Sequence, residues 1–171
     1  MNPQIIKLYA ANERDQMYKL VFRGAKLSFL LLLALSLPII IEAPLILSLW
    51  LKEVPEYTAI FLRLVLFIAL LSTLSNPLII SMHASGKVRD YQIVVGGISL
   101  LTLPLVYVAF RCGYEPYNAM VIAFIIELFC HIARLYMLKR TIGFPMILFL
   151  KDVTFRVMSI AIVSIVLSAM V

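Results

Sequence analysis

Charged residues are scarce in this chain: they make up 14% of its 171 residues, whereas 63% are hydrophobic. A soluble globular domain averages about 25% charged and about 45–50% apolar residues. A chain with so few charges cannot cover a surface that faces water, which excludes a soluble domain. Together with a mean hydropathy of +1.03, this scarcity indicates an integral membrane protein.

Cysteines and the common motifs of catalytic sites are also few or missing. Cys112 and Cys130 are too few for a disulfide framework. The sequence has no zinc-ligand spacing, no glycine-rich phosphate loop, no HExxH and no GxSxG. Since the connecting loops are also short, we expect neither an enzyme nor a metal or cofactor site. The net charge of +6 is spread between apolar segments, so nucleic-acid binding is not expected.

Long apolar runs are what the sequence has instead. Each is near or above the roughly 20 residues that cross a hydrocarbon core about 30 Å thick. They predict an all-α integral membrane helical bundle. We expect a cytoplasmic lead-in helix at 1–26, and a transmembrane bundle at 27–171 with five spans, at 27–50, 58–82, 91–112, 118–138 and 153–171.

The basic residues predict how the bundle is oriented. Ten lysines and arginines lie before the first run, between the second and third, and between the fourth and fifth, whereas the other two connections hold only Lys52 and Arg111. Because cytoplasmic loops carry the excess of basic residues, we expect a multi-pass protein with a cytoplasmic N-terminus. The fifth run lacks a closing polar flank, so we expect this chain to be part of a longer protein.

The fourth run contains three ionisable residues on one helical stripe: Glu127, His131 and Arg134. Glu127 lies about 14 Å from the outer end, close to the bilayer midplane. A lone charge there is costly, so it must be protonated, paired or facing water. Two interpretations stay open, a titrating or ligand-binding wall of a transport cavity and a structural pair inside the bundle. Arg134 is also placed to reach lipid head groups.

Two further candidates lie in the outer halves of the first two runs. Glu42 lies between Pro38 and Pro44, which remove backbone donors and predict a bend. A carboxylate at a bend suits a gate or a coupling site, although the bend can equally serve packing. Arg63 is either an anchor at the membrane surface or a contact for an anionic substrate.

Aromatic residues fall near several predicted membrane interfaces, where amphipathic rings prefer to lie. They are Trp50, Tyr57, Tyr91, Tyr107 and Tyr114.

A resemblance to a known family rests on an ordered set of segments. These are "NPQIIKLYA", "FRGAKLSFLLLLALSLP", "LSLWLKEVPEYTAIF", "ASGKVRDYQIV" and "LTLPLVYVAF". Together they resemble the Wzx-type flippases for lipid-linked oligosaccharides, which belong to the same superfamily as the multidrug and toxic-compound extruders. The likeness covers about residues 2–160. It implies that the chain matches part of the C-terminal lobe of a two-lobed transporter.

The resemblance also implies a function. Such a protein moves an undecaprenyl-pyrophosphate-linked oligosaccharide across the bacterial inner membrane, and its partners are the bilayer, the lipid-linked oligosaccharide and the remaining lobe. An isolated lobe is expected to be inactive. Two alternatives stay open, a related extruder of drugs or small cations and a non-transporting helical scaffold.

Overall fold

Helices form every regular element in the part of the chain that the computed structural model describes, residues 2–169, with side chains described for 3–164. In chain order they are α1 (Asn2–Ala10), α2 (Arg14–Ile41), α3 (Ala43–Trp50), α4 (Thr58–Ala84), α5 (Val88–Leu100), α6 (Thr102–Arg111), α7 (Asn118–Ile142), α8 (Met146–Phe149), a π-helical segment (Leu150–Phe155) and α9 (Arg156–Ala169). The predicted all-α membrane bundle is confirmed.

Four of the described helical segments are long and apolar enough to cross a membrane, where the sequence predicts five. They are Arg14–Ile41, Thr58–Ala84, Val88–Arg111 and Asn118–Ile142. The predicted fifth span at 153–171 begins inside the π-helical segment, and its last two residues lie outside the described part of the chain. Its α-helical part, α9, has 14 residues. The described chain is helical without interruption from 146 to 169, and the span at 153–171 stays a prediction.

The N-terminal segment differs from the single lead-in helix expected at 1–26. It contains α1, a tight turn and the first part of α2, which continues through residues 26 and 27 into the apolar run. The turn places Asn12 at φ 60°, a conformation that asparagine tolerates better than most residues. The guanidinium of Arg14 lies 3.7 Å above the ring of Tyr9, which holds α1 against the start of α2.

Hydrogen bonds between helices define their relative directions. The Tyr18 hydroxyl near the start of α2 donates to the carbonyl of Ile142 at the end of α7, at 2.7 Å. Arg63 near the start of α4 donates to the carbonyl of Ile40 at the end of α2. Helix α2 is therefore antiparallel to both α4 and α7. All connections stay short, and the ends rich in lysine and arginine gather on one side of the bundle.

Aromatic packing stabilises this basic end. Gly143 ends α7 in the left-handed conformation at φ 70°, which glycine adopts without steric cost. The turn brings Phe144 and Phe149 back onto α2, where both are buried. Their rings meet those of Tyr18 and Phe22 with edge-on or tilted geometries at centroid distances of 5.3–5.8 Å. Such contacts matter in a bilayer, where helix association depends on close packing because the lipid itself is apolar.

Large apolar side chains point away from the bundle along the spanning helices. Leu31 and Leu35 on α2 and Leu103 on α6 are all more than 60% exposed, as expected of residues that face hydrocarbon. The interface aromatics Trp50, Tyr107 and Tyr114 are also exposed. The structure corrects the interpretation of Tyr91, which is only 3% exposed and packs inside the bundle.

The two connections at the opposite end from the basic residues are linked to each other. The hydroxyl of Tyr57 donates to Oε2 of Glu115 at 2.7 Å, and the ring of Tyr57 lies 5.9 Å from that of Tyr117. The hydrogen bond to Glu115 raises the pKa of Tyr57 from 10.0 to about 12. Because the folded-state pKa is the higher one, the contact contributes to stability below pH 10.0 and is lost as the pH rises through about 12.

We expect Glu115→Gln to lower the pKa of Tyr57 toward 10.0, because the charged acceptor is the main cause of the shift. The measurement is an NMR titration of the ring-labelled tyrosine in detergent micelles. Glu56→Gln is the matched control, since it removes the same charge from a nearby residue that adds only a minor electrostatic effect. Equal shifts in both variants would contradict the role of the hydrogen bond.

Candidate functional site

An ion pair inside the bundle joins two of the predicted residues on α7. Nη1 of Arg134 lies 2.6 Å from Oε1 of Glu127, and their side chains are only 10% and 19% exposed. The residues are two helical turns apart. The arginine reaches its partner because helical side chains lean toward the N-terminus of the helix. The structure shows the two residues paired, and Arg134, which is 8% exposed, does not reach out to lipid head groups. The transport-cavity interpretation of the stripe stays a prediction.

The same guanidinium connects α7 to α4. Nη1 of Arg134 also donates to Oγ of Ser75 at 3.2 Å, and that hydroxyl lies 2.8 Å from Nδ1 of His131. Since Ser75 accepts from the arginine, its own proton is available for Nδ1. This network assigns the proton of a neutral His131 to Nε2. Thus the predicted stripe of three residues faces another helix rather than lipid.

The site is enclosed by α4, α5 and α7. Tyr91 on α5 interacts electrostatically with Arg134, and the ring of Phe149 lies 6.4 Å from that of His131. Within this site, two buried nitrogens, Nε2 of His131 and Nε of Arg134, make no hydrogen bond in the described structure. The described residues contain no group of three or more histidine, cysteine or acidic side chains that could hold a metal ion. The cluster fixes three helices together and holds one charge of each sign.

A second candidate site lies at the break between α2 and α3. Helix α2 ends at Ile41 and α3 begins at Ala43, so Glu42 occupies the junction, and its side chain is exposed. Pro44 has no N–H and cannot donate to the carbonyl of Ile40 four residues earlier. The bend predicted at this position is present, and Glu42 lies at it with an exposed side chain.

Arg63 supplies the donor that Pro44 lacks. Its Nε donates to the carbonyl of Ile40 at 2.9 Å, and its Nη2 lies 3.5 Å from the carbonyl of Ile41. A backbone carbonyl left without a donor is costly in a membrane. Arg63 therefore takes the place of a backbone amide at the helix break. This role is different from the membrane anchor and from the substrate contact considered from the sequence.

The five predicted residues thus form two separate groups. One group is the buried cluster of Glu127, His131 and Arg134, and the other is the break that contains Glu42 and is capped by Arg63. Sequence reasoning missed Ser75, whose only signal is a small polar residue within an apolar run. It also missed the contact of Tyr91 with Arg134, because a tyrosine close to the end of a span is ordinarily an interface residue.

No protein-family model, curated protein or solved structure matches this chain significantly.

Removing one partner of the ion pair should be strongly destabilising. We expect Glu127→Ala or Arg134→Ala to lower the free energy of unfolding by about 3–5 kcal/mol, because each leaves a buried charge uncompensated. The double variant Glu127→Leu/Arg134→Met should lose much less than the sum of the two single changes. The measurement is denaturant unfolding in mixed micelles, and additive losses would contradict the pairing.

The capping role of Arg63 predicts an interaction with Pro44. Arg63→Ala should cost about 1–3 kcal/mol, the usual penalty for a buried acceptor left without its donor. In a Pro44→Ala background the same change should cost less, because the new amide can donate to Ile40. The double-mutant cycle is measured by unfolding in the same micelles. An equal cost of Arg63→Ala in both backgrounds would show that the arginine acts in another way.

Proposed function

We propose that this chain is part of the C-terminal lobe of a Wzx-type flippase, which moves undecaprenyl-pyrophosphate-linked oligosaccharide from the cytoplasmic to the outer leaflet of the bacterial inner membrane. The observation that supports this most directly is the exposed carboxylate of Glu42 at the break between α2 and α3. The resemblance of the ordered segments supplies the class of substrate. The excess of basic residues near the start of α2 supports a cytoplasmic N-terminus.

The position of Glu42 favours a neighbour other than lipid. It lies eight residues before Trp50, which places it about 12 Å from the outer end of the span. A charged side chain on the lipid-facing surface at that depth costs several kcal/mol. A second lobe across a water-filled cavity would remove this cost. Discontinuous helices of this kind are typical of transporters, in which they contribute to binding sites near the middle of the membrane.

The buried cluster supports the proposal in another way. Alternating access moves one lobe against the other, and such movement requires that each lobe behave as a rigid unit. The Glu127–Arg134 pair, with Ser75 and His131, ties α7 to α4 by hydrogen bonds. In this proposal these residues maintain the lobe, while Glu42 is the group that exchanges protons or cations with the cavity.

A related extruder of small cations is the second candidate, because an exposed carboxylate on a broken helix also suits a cationic substrate. The two functions differ in which cargo the intact protein moves. Fluorescent lipid-linked oligosaccharide and a lipophilic cation can be tested with the same proteoliposomes. Movement of the cation alone would favour the extruder and contradict the flippase proposal.

The cavity position of Glu42 predicts a pattern of chemical accessibility. In the native protein that contains these residues, with Cys112 and Cys130 replaced by serine, we expect Glu42→Cys to react with a membrane-impermeant maleimide. Leu103→Cys is the matched control, because Leu103 lies eight residues before the end of α6 and is 71% exposed on the apolar surface. It should stay unlabelled. Protection of both positions would favour a non-transporting scaffold.

The coupling role of Glu42 is tested by transport. We expect Glu42→Gln to slow flipping and to flatten its dependence on an imposed pH gradient, because ionisable residues within a membrane mark proton and ion pathways and the amide cannot titrate. Glu42→Asp keeps a carboxylate and should retain part of the flipping rate and part of its dependence on the pH gradient. The readout is the flipping rate in proteoliposomes, and an unchanged pH dependence in Glu42→Gln would contradict the coupling role.

A further inference from the structure

The N-terminal turn creates a cleft between α1 and the start of α2 that the proposed function does not use. It has a volume of about 440 Å³. Its walls carry the basic residues Lys7, Lys19 and Arg23, and Leu8 and Leu20 provide apolar surface. None of the described residues that line it is acidic. The cleft therefore combines positive charge with an apolar surface, the two features of an anionic lipid site.

The sequence and the turn together place these cations on one side. On α2, Gln16, Lys19 and Arg23 are three and then four residues apart and form one helical stripe. The turn at Asn12 folds α1 back, so Lys7 faces this stripe across the cleft. All three basic side chains are exposed, and no ion pair within the described part of the chain includes any of them.

The depth of the cleft fits a lipid head group. The apolar run of α2 begins near residue 27, so Arg23 lies about 6 Å and Lys19 about 12 Å from the hydrocarbon boundary at 1.5 Å per residue. The polar region on each side of a bilayer is roughly 5–8 Å thick. The cleft thus extends from the head-group layer to the adjacent aqueous surface of the membrane. The side chains of Lys19 and Arg23 can reach a lipid head group from these positions.

We propose that this cleft binds the phosphate head group of an anionic phospholipid such as phosphatidylglycerol. The guanidinium of Arg23 and the two ammonium groups surround the phosphate, and Leu8 and Leu20 contact the glycerol and the upper part of the acyl chains. The lipid fixes α1 to the membrane surface. A diffusing phosphate ion has no acyl chains for these leucines, so the site prefers a lipid.

The test is native mass spectrometry of the full chain, released from nanodiscs that contain equal amounts of phosphatidylglycerol and phosphatidylcholine. We expect phosphatidylglycerol to stay bound preferentially. Lys7→Gln/Lys19→Gln/Arg23→Gln should weaken its retention about tenfold or more, since each basic residue near an anionic surface adds appreciably to binding. The matched control, Lys87→Gln/Arg89→Gln/Arg140→Gln, removes the same charge from the same end of the bundle, outside the cleft, and should retain the lipid.

Three results would overturn the proposal: no preference for phosphatidylglycerol, an equal loss in the control variant, or displacement of the lipid by inorganic phosphate. A second measurement avoids changing the basic residues. Gln16→Cys, with both native cysteines replaced by serine, carries a fluorophore at the rim of the cleft. Phosphatidylglycerol with a nitroxide on its head group should quench it more than the equivalent phosphatidylcholine, and equal quenching would also overturn the proposal.

Discussion

Every backbone N–H and C=O group inside a bilayer needs a partner within the protein, and the structure depends on how this chain meets that requirement at the break in its first span. Pro44 leaves the carbonyl of Ile40 without its backbone donor. Arg63 on α4 donates to that carbonyl. A broken helix thus becomes compatible with the membrane, and α2 and α4 are fixed against each other at the same point.

The buried ion pair follows the same logic with side chains. Glu127 and Arg134 are each costly in an apolar environment, but together, and with Ser75 and His131, they form a hydrogen-bonded connection between α7 and α4. The contact of Arg63 with Ile40 and the contact of Arg134 with Ser75 both involve α4. This helix consequently lies between the broken span and the charged span, and its own apolar faces pack against both. The exposed Glu42 is different, because nothing in the described bundle satisfies its charge.

The basic end has a different chemistry. There the chain uses aromatic rings and a glycine-terminated helix to close the bundle, and the remaining lysines and arginines stay at the surface. This separation of roles places rigid packing at the centre of the bundle and charge near the membrane surface. It accounts for a cleft with cationic walls on a chain whose acidic residues are few.

The sequence by itself determined the all-α membrane class, four of the spans, the bend at Glu42 and the shared face of Glu127, His131 and Arg134. These features depend on local hydropathy, on proline chemistry and on the helical period, which act over a few turns of one chain segment. Only the tertiary structure decided that Arg63 caps Ile40, that Tyr91 is internal and that Ser75 meets His131. Each of these contacts joins residues more than 20 positions apart, and the packing of helices, which hydropathy does not encode, brings them together.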